Sequence, residues 1–210
     1  MSEPANGADG TIGLREGEEV NAEALRTWLS NAVPEMVPAG ARLLIRQFAS
    51  GFSNLTYLVT LEHEHGRRAL VLRRPPRGVT SGIAHDMGRE HGILAALHLL
   101  GVPVPRPIAR CEDASVIGAP FYVMEHVDGV ILRGAPPPSL IDNAAAMPRK
   151  LAALSQTFVH TFAQLHAVDV SAAALVSLGR PDGYVQRQVQ GWAKRWLASR
   201  THDVPELDGI

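Results

Sequence analysis

The sequence is poor in cysteine: Cys111 stands alone among 210 residues. No internal disulfide can staple the fold, so stability has to come from packing. Its neighbours Arg110 and Glu112 do not mark it as a nucleophile, and one unpaired thiol fits a reducing compartment. Long apolar runs are absent too. No stretch of about 18 apolar residues occurs, so no membrane span is expected. The polar, acidic opening MSEPANGADGTIGLREGEE lacks the apolar centre of a signal peptide or anchor. The expectation is a cytoplasmic protein. Excess charge of either sign is also missing: 20 Lys+Arg stand against 21 Asp+Glu, a net charge of -1. No overall field draws the chain to nucleic acid or to an anionic membrane. What is present is a 46% hydrophobic fraction, enough to build a core.

Residues 1–19 are dominated by Gly, Glu and Asp and are expected to form a flexible tail. Order is expected from Asn21, where NAEALRTWLSNAV offers an N-cap, Leu25, Trp28 and Leu29 at helical spacing, and Pro34 as a stop. ARLLIRQF, TYLVTLEH and RRALVLRR read as three antiparallel strands. A tight turn at 64–67, with Gly66 in it, joins the last two. A helix is predicted from about Ala84 to Leu100, with an apolar stripe of Ile83, Met87, Leu94 and Leu97 and a stop at Gly101. The prolines of VPVPRPIA favour an extended connection, and APFYVMEHVDG gives a short strand turning polar at Glu125. Between Pro148 and His166, Leu151, Leu154, Phe158, Phe162 and Leu165 follow i, i+3, i+4 spacing and predict a buried helix. A further helix over about Tyr184–Ser199 places Val185, Val189, Trp192 and Trp196 on one face and Arg187, Lys194 and Arg195 opposite. Strands first and helices later imply an α+β protein with a small sheet lobe and a helical lobe.

Chemistry is sought where small and charged residues interrupt these elements. In SGFSN, Gly51 lets the backbone approach a ligand, and Ser53 and Asn54 add small donors suited to an anion. A glycine turn alone also serves simply to reverse a strand. In LVLRR, Arg73 shares a strand face with Val71, so an apolar side chain can meet a base while the guanidinium reaches a phosphate. The alternative is an edge strand with solvated arginines. Glu90 falls within the stripe of the following helix. A carboxylate there either pairs with a cation, Arg73 being the candidate, or sits at the edge of the stripe in water.

Together, GFSNLTYLV, LVLRRPP, GREHGILAAL, VPVPRPIARCEDASVIGAPFYVMEHVDG, FAQLHAVD and LGRPDGYVQRQVQGWAKRW resemble the aminoglycoside-phosphotransferase family. The branch they resemble most is the one associated with acyl-CoA dehydrogenases. The resemblance covers about residues 45–197. It implies a protein-kinase-like α+β fold: a small antiparallel-sheet N-lobe with one helix at 20–127, and an incomplete helical C-lobe at 128–210. It further implies ATP and magnesium between the lobes and an unnamed small-molecule hydroxyl as acceptor. Gly51, Ser53 and Asn54 would cover the phosphates. Arg73 would stand where the third-strand lysine usually stands, Glu90 would be its helix partner, and the backbone of Glu125, His126 and Val127 would meet the adenine. Arginine for lysine keeps the charge and adds bidentate reach, at the cost of bulk.

The family's His-Gly-Asp loop, the Asn five residues after its Asp and the later metal-binding Asp are not found in this sequence. His166 and Asp169 of LHAVD are no substitute, because Ala174 stands where the amide would be needed. His202 and Asp203 have no Asn after them, and His63 and His65 flank a turn with no third ligand. Neither a catalytic nor a metal-ligating residue is therefore assigned, and magnesium is expected only with the missing segment. The implied activity is that of the N-terminal part of an ATP-dependent phosphotransferase, inactive alone or completed by a separate chain. The alternative is a non-catalytic nucleotide-binding or interaction module.

Overall fold

The computed structural model describes residues 10–49, 53–76, 85–130, 132, 141, 143–171, 173–176, 178–179 and 182–201. The chain divides into two compact units, Met1–Val168 and Asp169–Ile210. Gly51 of the SGFSN stretch lies outside the described residues, as do Ile83, His202 and Asp203.

The first unit is built on a six-stranded sheet: β1 (Thr11–Ile12), β2 (Arg42–Phe48), β3 (Leu55–His63), β4 (Gly66–Arg74), β5 (Pro107–Cys111) and β6 (Phe121–Glu125), in the order β1-β2-β3-β4-β6-β5. Every neighbouring pair is antiparallel. The predicted meander is β2-β3-β4, and the turn joining β3 to β4 is tighter than expected. His63 pairs with Gly66, leaving only Glu64 and His65 between them. Gly66 takes φ +140, a conformation open to glycine because it has no Cβ.

Alternation along the strands divides the sheet into two faces. Leu43 on β2, Leu55, Tyr57, Val59 and Leu61 on β3, Leu70 and Leu72 on β4, and Phe121 and Val123 on β6 share one buried core. That core packs on α1 (Ala22–Ala32) through Leu25 and Leu29, and Trp28 meets Phe121 edge to face at 4.8 Å. The predicted N-cap holds: Asn21 Oδ1 accepts from the amides of Glu23 and Ala24 at 3.1 and 3.0 Å.

Residues 10–19, expected to belong to a tail, are instead laid along this core face. β1 pairs with β2, Thr11 is fully buried, and Arg46 donates to its hydroxyl and carbonyl at 2.7 and 3.0 Å. Gln47 accepts from the Arg15 amide and donates to Glu18. Polar and main-chain bonds fix this segment, which is why its hydrophilic composition did not announce it.

Arg74, at the end of β4, points into the same face and is completely buried. Its guanidinium donates to Tyr57 Oη at 3.0 and 3.1 Å, to the Ile117 carbonyl at 3.3 Å and to the Glu18 carbonyl at 2.9 Å. Tyr57 Oη in turn donates to the Glu18 carbonyl at 2.7 Å.

The opposite face carries Leu58, Val71, Arg73, Tyr122 and Met124 by the same alternation, and α2 (Met87–Leu99) packs against its β5–β6 end. The helix begins later than Ala84. Asp86 is its N-cap, accepting from the Arg89 amide at 2.8 Å. At its end Gly101 N–H reaches the His98 carbonyl at 3.1 Å and Val102 N–H the Leu97 carbonyl at 3.0 Å. With Gly101 at φ +76 this is a Schellman stop. Of the predicted stripe, Met87 is buried and Leu94 and Leu97 are half-buried.

The unit also contains α3 (Met147–His166). The helical periodicity was legible, but the prediction of burial was wrong: none of its described residues is buried, and Phe158 and Phe162 are 68% and 54% exposed. Their rings stack on each other with centroids 6.1 Å apart. Periodicity reveals an apolar face but not what covers it. In the second unit, a short α4 (Ala173–Val176) precedes α5 (Tyr184–Ser199), which has the predicted bounds. Val185, Val189 and Trp192 on its apolar face are exposed. No helix among the described residues is long and apolar enough to cross a membrane.

Candidate functional site

Two adjacent arginines end β4, and the strand's alternation sends them to opposite faces. Arg74 enters the core, and Arg73 faces α2. There Arg73 Nε lies 3.5 Å from Glu90 Oε2, with both side chains roughly 70% buried (31% and 29% exposed). Of the two readings the sequence left open for Glu90, the structure shows the ion pair. Glu90 sits in the first turn of α2, where the helix dipole also favours a carboxylate.

Glu90 has further partners. Asn54, 5% exposed just ahead of β3, donates its amide nitrogen to Glu90 Oε1 at 2.6 Å. Tyr122 on β6 donates its hydroxyl to Glu90 Oε2 at 3.1 Å. Residue 122 is the register partner of residue 73, so the phenol and the guanidinium flank one carboxylate from adjacent strands. Burial, first of all, holds the Tyr122 hydroxyl well above the ordinary phenol pKa, and Glu90 adds to the shift while Arg73 opposes it. The phenol therefore remains a donor. His85 completes the group, its Nδ1 lying 2.8 Å from Asn54 Oδ1.

Behind Tyr122, the His91 ring packs edge-on at 6.0 Å. Burial is the largest cause of its lowered pKa, and the nearby Arg110 lowers it further. Arg110 itself pairs with Glu112 at 3.5 Å.

Ser53 is exposed beside Asn54. At the far end of β6, Glu125 and Val127 are exposed, whereas His126 is half-buried and pairs with Asp128 at 3.4 Å. The Glu125 N–H already donates to the Arg106 carbonyl at 2.9 Å. Any further main-chain contact at 125–127 must therefore use other groups of that segment. On the same sheet face, Val71 and Met124 are register partners and give an apolar surface between Arg73 and residues 125–127.

Sequence reasoning identified Arg73, Glu90 and Asn54 but missed Tyr122 and His85. Tyr122 has the same strand parity as Met124 within FYVME, but only the β4–β6 register places it opposite Arg73. Among the described residues there is no group of three or more His, Cys, Asp or Glu arranged to hold a metal ion.

The chain that builds this site is similar to known proteins along most of its length. The chain is 37% identical over 203 residues to acyl-CoA dehydrogenase family member 11 of Gallus gallus, covering 96% of this chain and 25% of that protein. It is 34% identical over 204 residues to acyl-CoA dehydrogenase family member 10 of Mus musculus, covering 97% of this chain and 18% of that protein. This chain thus spans a quarter or less of the length of these relatives. Among solved structures, it superposes with a TM-score of 0.56 and 29% identity on a Ralstonia eutropha protein described as a "putative aminoglycoside phosphotransferase", over 90% of this chain and 51% of the other. The model of the phosphotransferase enzyme family matches residues 44–209. That match takes in both arginines of β4, Glu90, Tyr122 and all the helices from α2 onward, and on it the chain belongs to the phosphotransferase enzyme family.

Proposed function

We propose that this chain supplies the nucleotide-binding part of an ATP-dependent phosphotransferase that acts on a small-molecule hydroxyl. The observation that carries the proposal is the Arg73–Glu90 pair: Arg73 shares a sheet face with Val71 and Met124, and Glu90 is bonded to Asn54 just ahead of β3. The Arg73 side chain keeps 31% of its surface exposed, and a guanidinium carries five N–H donors in a planar fork, so the part turned away from Glu90 can meet an anionic ligand. ATP brings the phosphoryl group that a kinase-like enzyme transfers. In this reading Gly51, Ser53 and Asn54 lie over the phosphates, Arg73 contacts them, and the backbone of Glu125, His126 and Val127 meets the base. The N-lobe in this reading ends at about residue 127 and takes in β1 as well as the expected 20–127, and 128–210 begins the helical lobe.

The transfer machinery belongs to a part of the protein that these residues do not include. No His-Gly-Asp stretch occurs in the sequence, and magnesium is bound only together with that part. A thermal melt of the 210-residue chain with and without ATP tests the binding. Ligand at about 100 times its Kd stabilises by about 2.7 kcal/mol, which is a readable rise in melting temperature. No shift at millimolar ATP would refute nucleotide binding. Magnesium-dependent phosphate transfer by the pure chain would refute the assignment of catalysis to another segment.

A further inference from the structure

We infer that Asn54 is a positioning residue that latches the segment preceding β3 onto the Arg73–Glu90 pair, so that this segment and the pair are set together. A carboxylate only accepts hydrogen bonds, so the contact at 2.6 Å to Glu90 Oε1 must come from the amide nitrogen of Asn54. That fixes Asn54 Oδ1 as an acceptor, and the His85 ring 2.8 Å away must therefore present an Nδ1–H to it. The chain of contacts runs His85, Asn54, Glu90, Tyr122, and it joins four parts of the first unit: the entry to α2, the entry to β3, the first turn of α2 and strand β6.

A glutamate side chain has several rotamers and loses entropy when held in one. Here an amide on one oxygen, and a phenol and a guanidinium on the other, select a single rotamer. Asn54 is the link that lies just ahead of β3. Displacing Asn54 withdraws a donor from a largely buried carboxylate, and Glu90 can then regain it only by moving relative to Arg73. An amide buried to 5% exposure and committed on both of its ends is placed to transmit that displacement.

The consequence for ligand rests on the nucleotide reading above. With Asn54 removed, Arg73 is no longer held where a phosphate meets it, whereas the apolar surface for a base is untouched. The test uses the whole 210-residue chain with ATP and adenosine as titrants in calorimetry. Asn54→Ala is expected to weaken ATP about 10-fold, the size of one hydrogen bond to a charged group, and to leave adenosine within about 2-fold. In an Arg73→Met background the same change is expected to cost ATP nothing further. Equal losses for ATP and adenosine, or full additivity with Arg73→Met, would overturn the inference.

If Asn54→Ala does not fold, Asn54→Ser takes its place, since the shorter side chain also withdraws the amide from Glu90 Oε1. A wild-type chain that binds neither titrant refutes the nucleotide reading, and the latch is then decided by unfolding alone. In that case Asn54→Ala and Glu90→Gln must be non-additive in urea denaturation, and additive losses would sink the latch as well.

Discussion

Replacing either arginine at the end of β4 by methionine gives two variants that should behave as opposites. Arg74 is completely buried, and its guanidinium serves Tyr57 Oη and the carbonyls of Ile117 and Glu18, with the Glu19 carbonyl at the long distance of 3.5 Å. Methionine fills much of the same volume but donates nothing. The Glu18 carbonyl keeps the Tyr57 hydroxyl, so the carbonyl of Ile117 bears most of the loss. Each buried acceptor left unsatisfied costs about 1–3 kcal/mol. Against this, the variant no longer has to bury a charge, an expense of several kcal/mol that the native bonds offset. The expected net loss is about 1–3 kcal/mol. For a chain of this size that is a fall in melting temperature of roughly 2–12 °C.

Arg73→Met, by contrast, breaks a part-buried pair at 3.5 Å but leaves Glu90 its donors Asn54 and Tyr122, and should cost about 1 kcal/mol while removing the cation proposed to meet phosphate. Urea denaturation of both variants, beside an ATP melt, separates them. A stability loss under about 0.5 kcal/mol for Arg74→Met, within the ordinary surface range, would refute the reasoning that its hydrogen bonds outweigh its desolvation. An equal loss at both sites would refute the division of the two arginines between structure and ligand.

Three further outcomes are expected. The Tyr122 phenol has its pKa raised by burial above the ordinary value of about 10, so its protonated form is favoured by the fold. Stability present below pH 10 should fall as pH rises past it, and Tyr122→Phe should flatten that alkaline slope in pH-dependent denaturation. An unchanged slope would show that the phenol is not the group concerned. The His91 pKa is lowered below 6.5, so the folded state prefers the neutral ring. Stability should decline as pH falls below about 6.5, and His91→Gln should reduce that acid dependence. Asn21→Ala removes the acceptor for two amides at the start of α1 and should cost about 1 kcal/mol, with no effect on nucleotide affinity if α1 serves only the opposite sheet face.

Legibility in the sequence followed the range of the interactions. Arg73 and Glu90 could be paired because each lies on an element with strong local periodicity, and parity with Val71 and position in a helical stripe are local facts. The meander, the N-cap of α1 and the glycine stop of α2 were legible for the same reason. Tyr122 was not, because its relation to Arg73 depends on β6 pairing with β4 ahead of β5, a choice that no local pattern encodes. Arg74 could be separated from Arg73 by parity, but its acceptors come from residues 18, 57 and 117. The strand at Thr11–Ile12 was hidden because polar bonds hold its surroundings. The apolar periodicity of α3 was plain, and yet its exposure is a property of what surrounds the helix. Asn54 was anticipated as a donor near an anion. The anion that its amide meets within the described structure is the chain's own Glu90.

The strand order also bears on how the protein reaches its native state. β3 and β4 are joined by Glu64 and His65 alone, so their hairpin closes a minimal loop and can form on the scale of microseconds. The β4–β6 pairing closes a much longer loop, which contains α2 and β5, a closure whose entropic cost must be met before its contacts are gained. The register that sets residue 73 beside residue 122 belongs to that second event. The order of these closures predicts that the meander forms before Glu90 gains its phenol partner. The chain's capacity to hold a ligand should appear with the slower kinetic phase, not with the first formation of sheet.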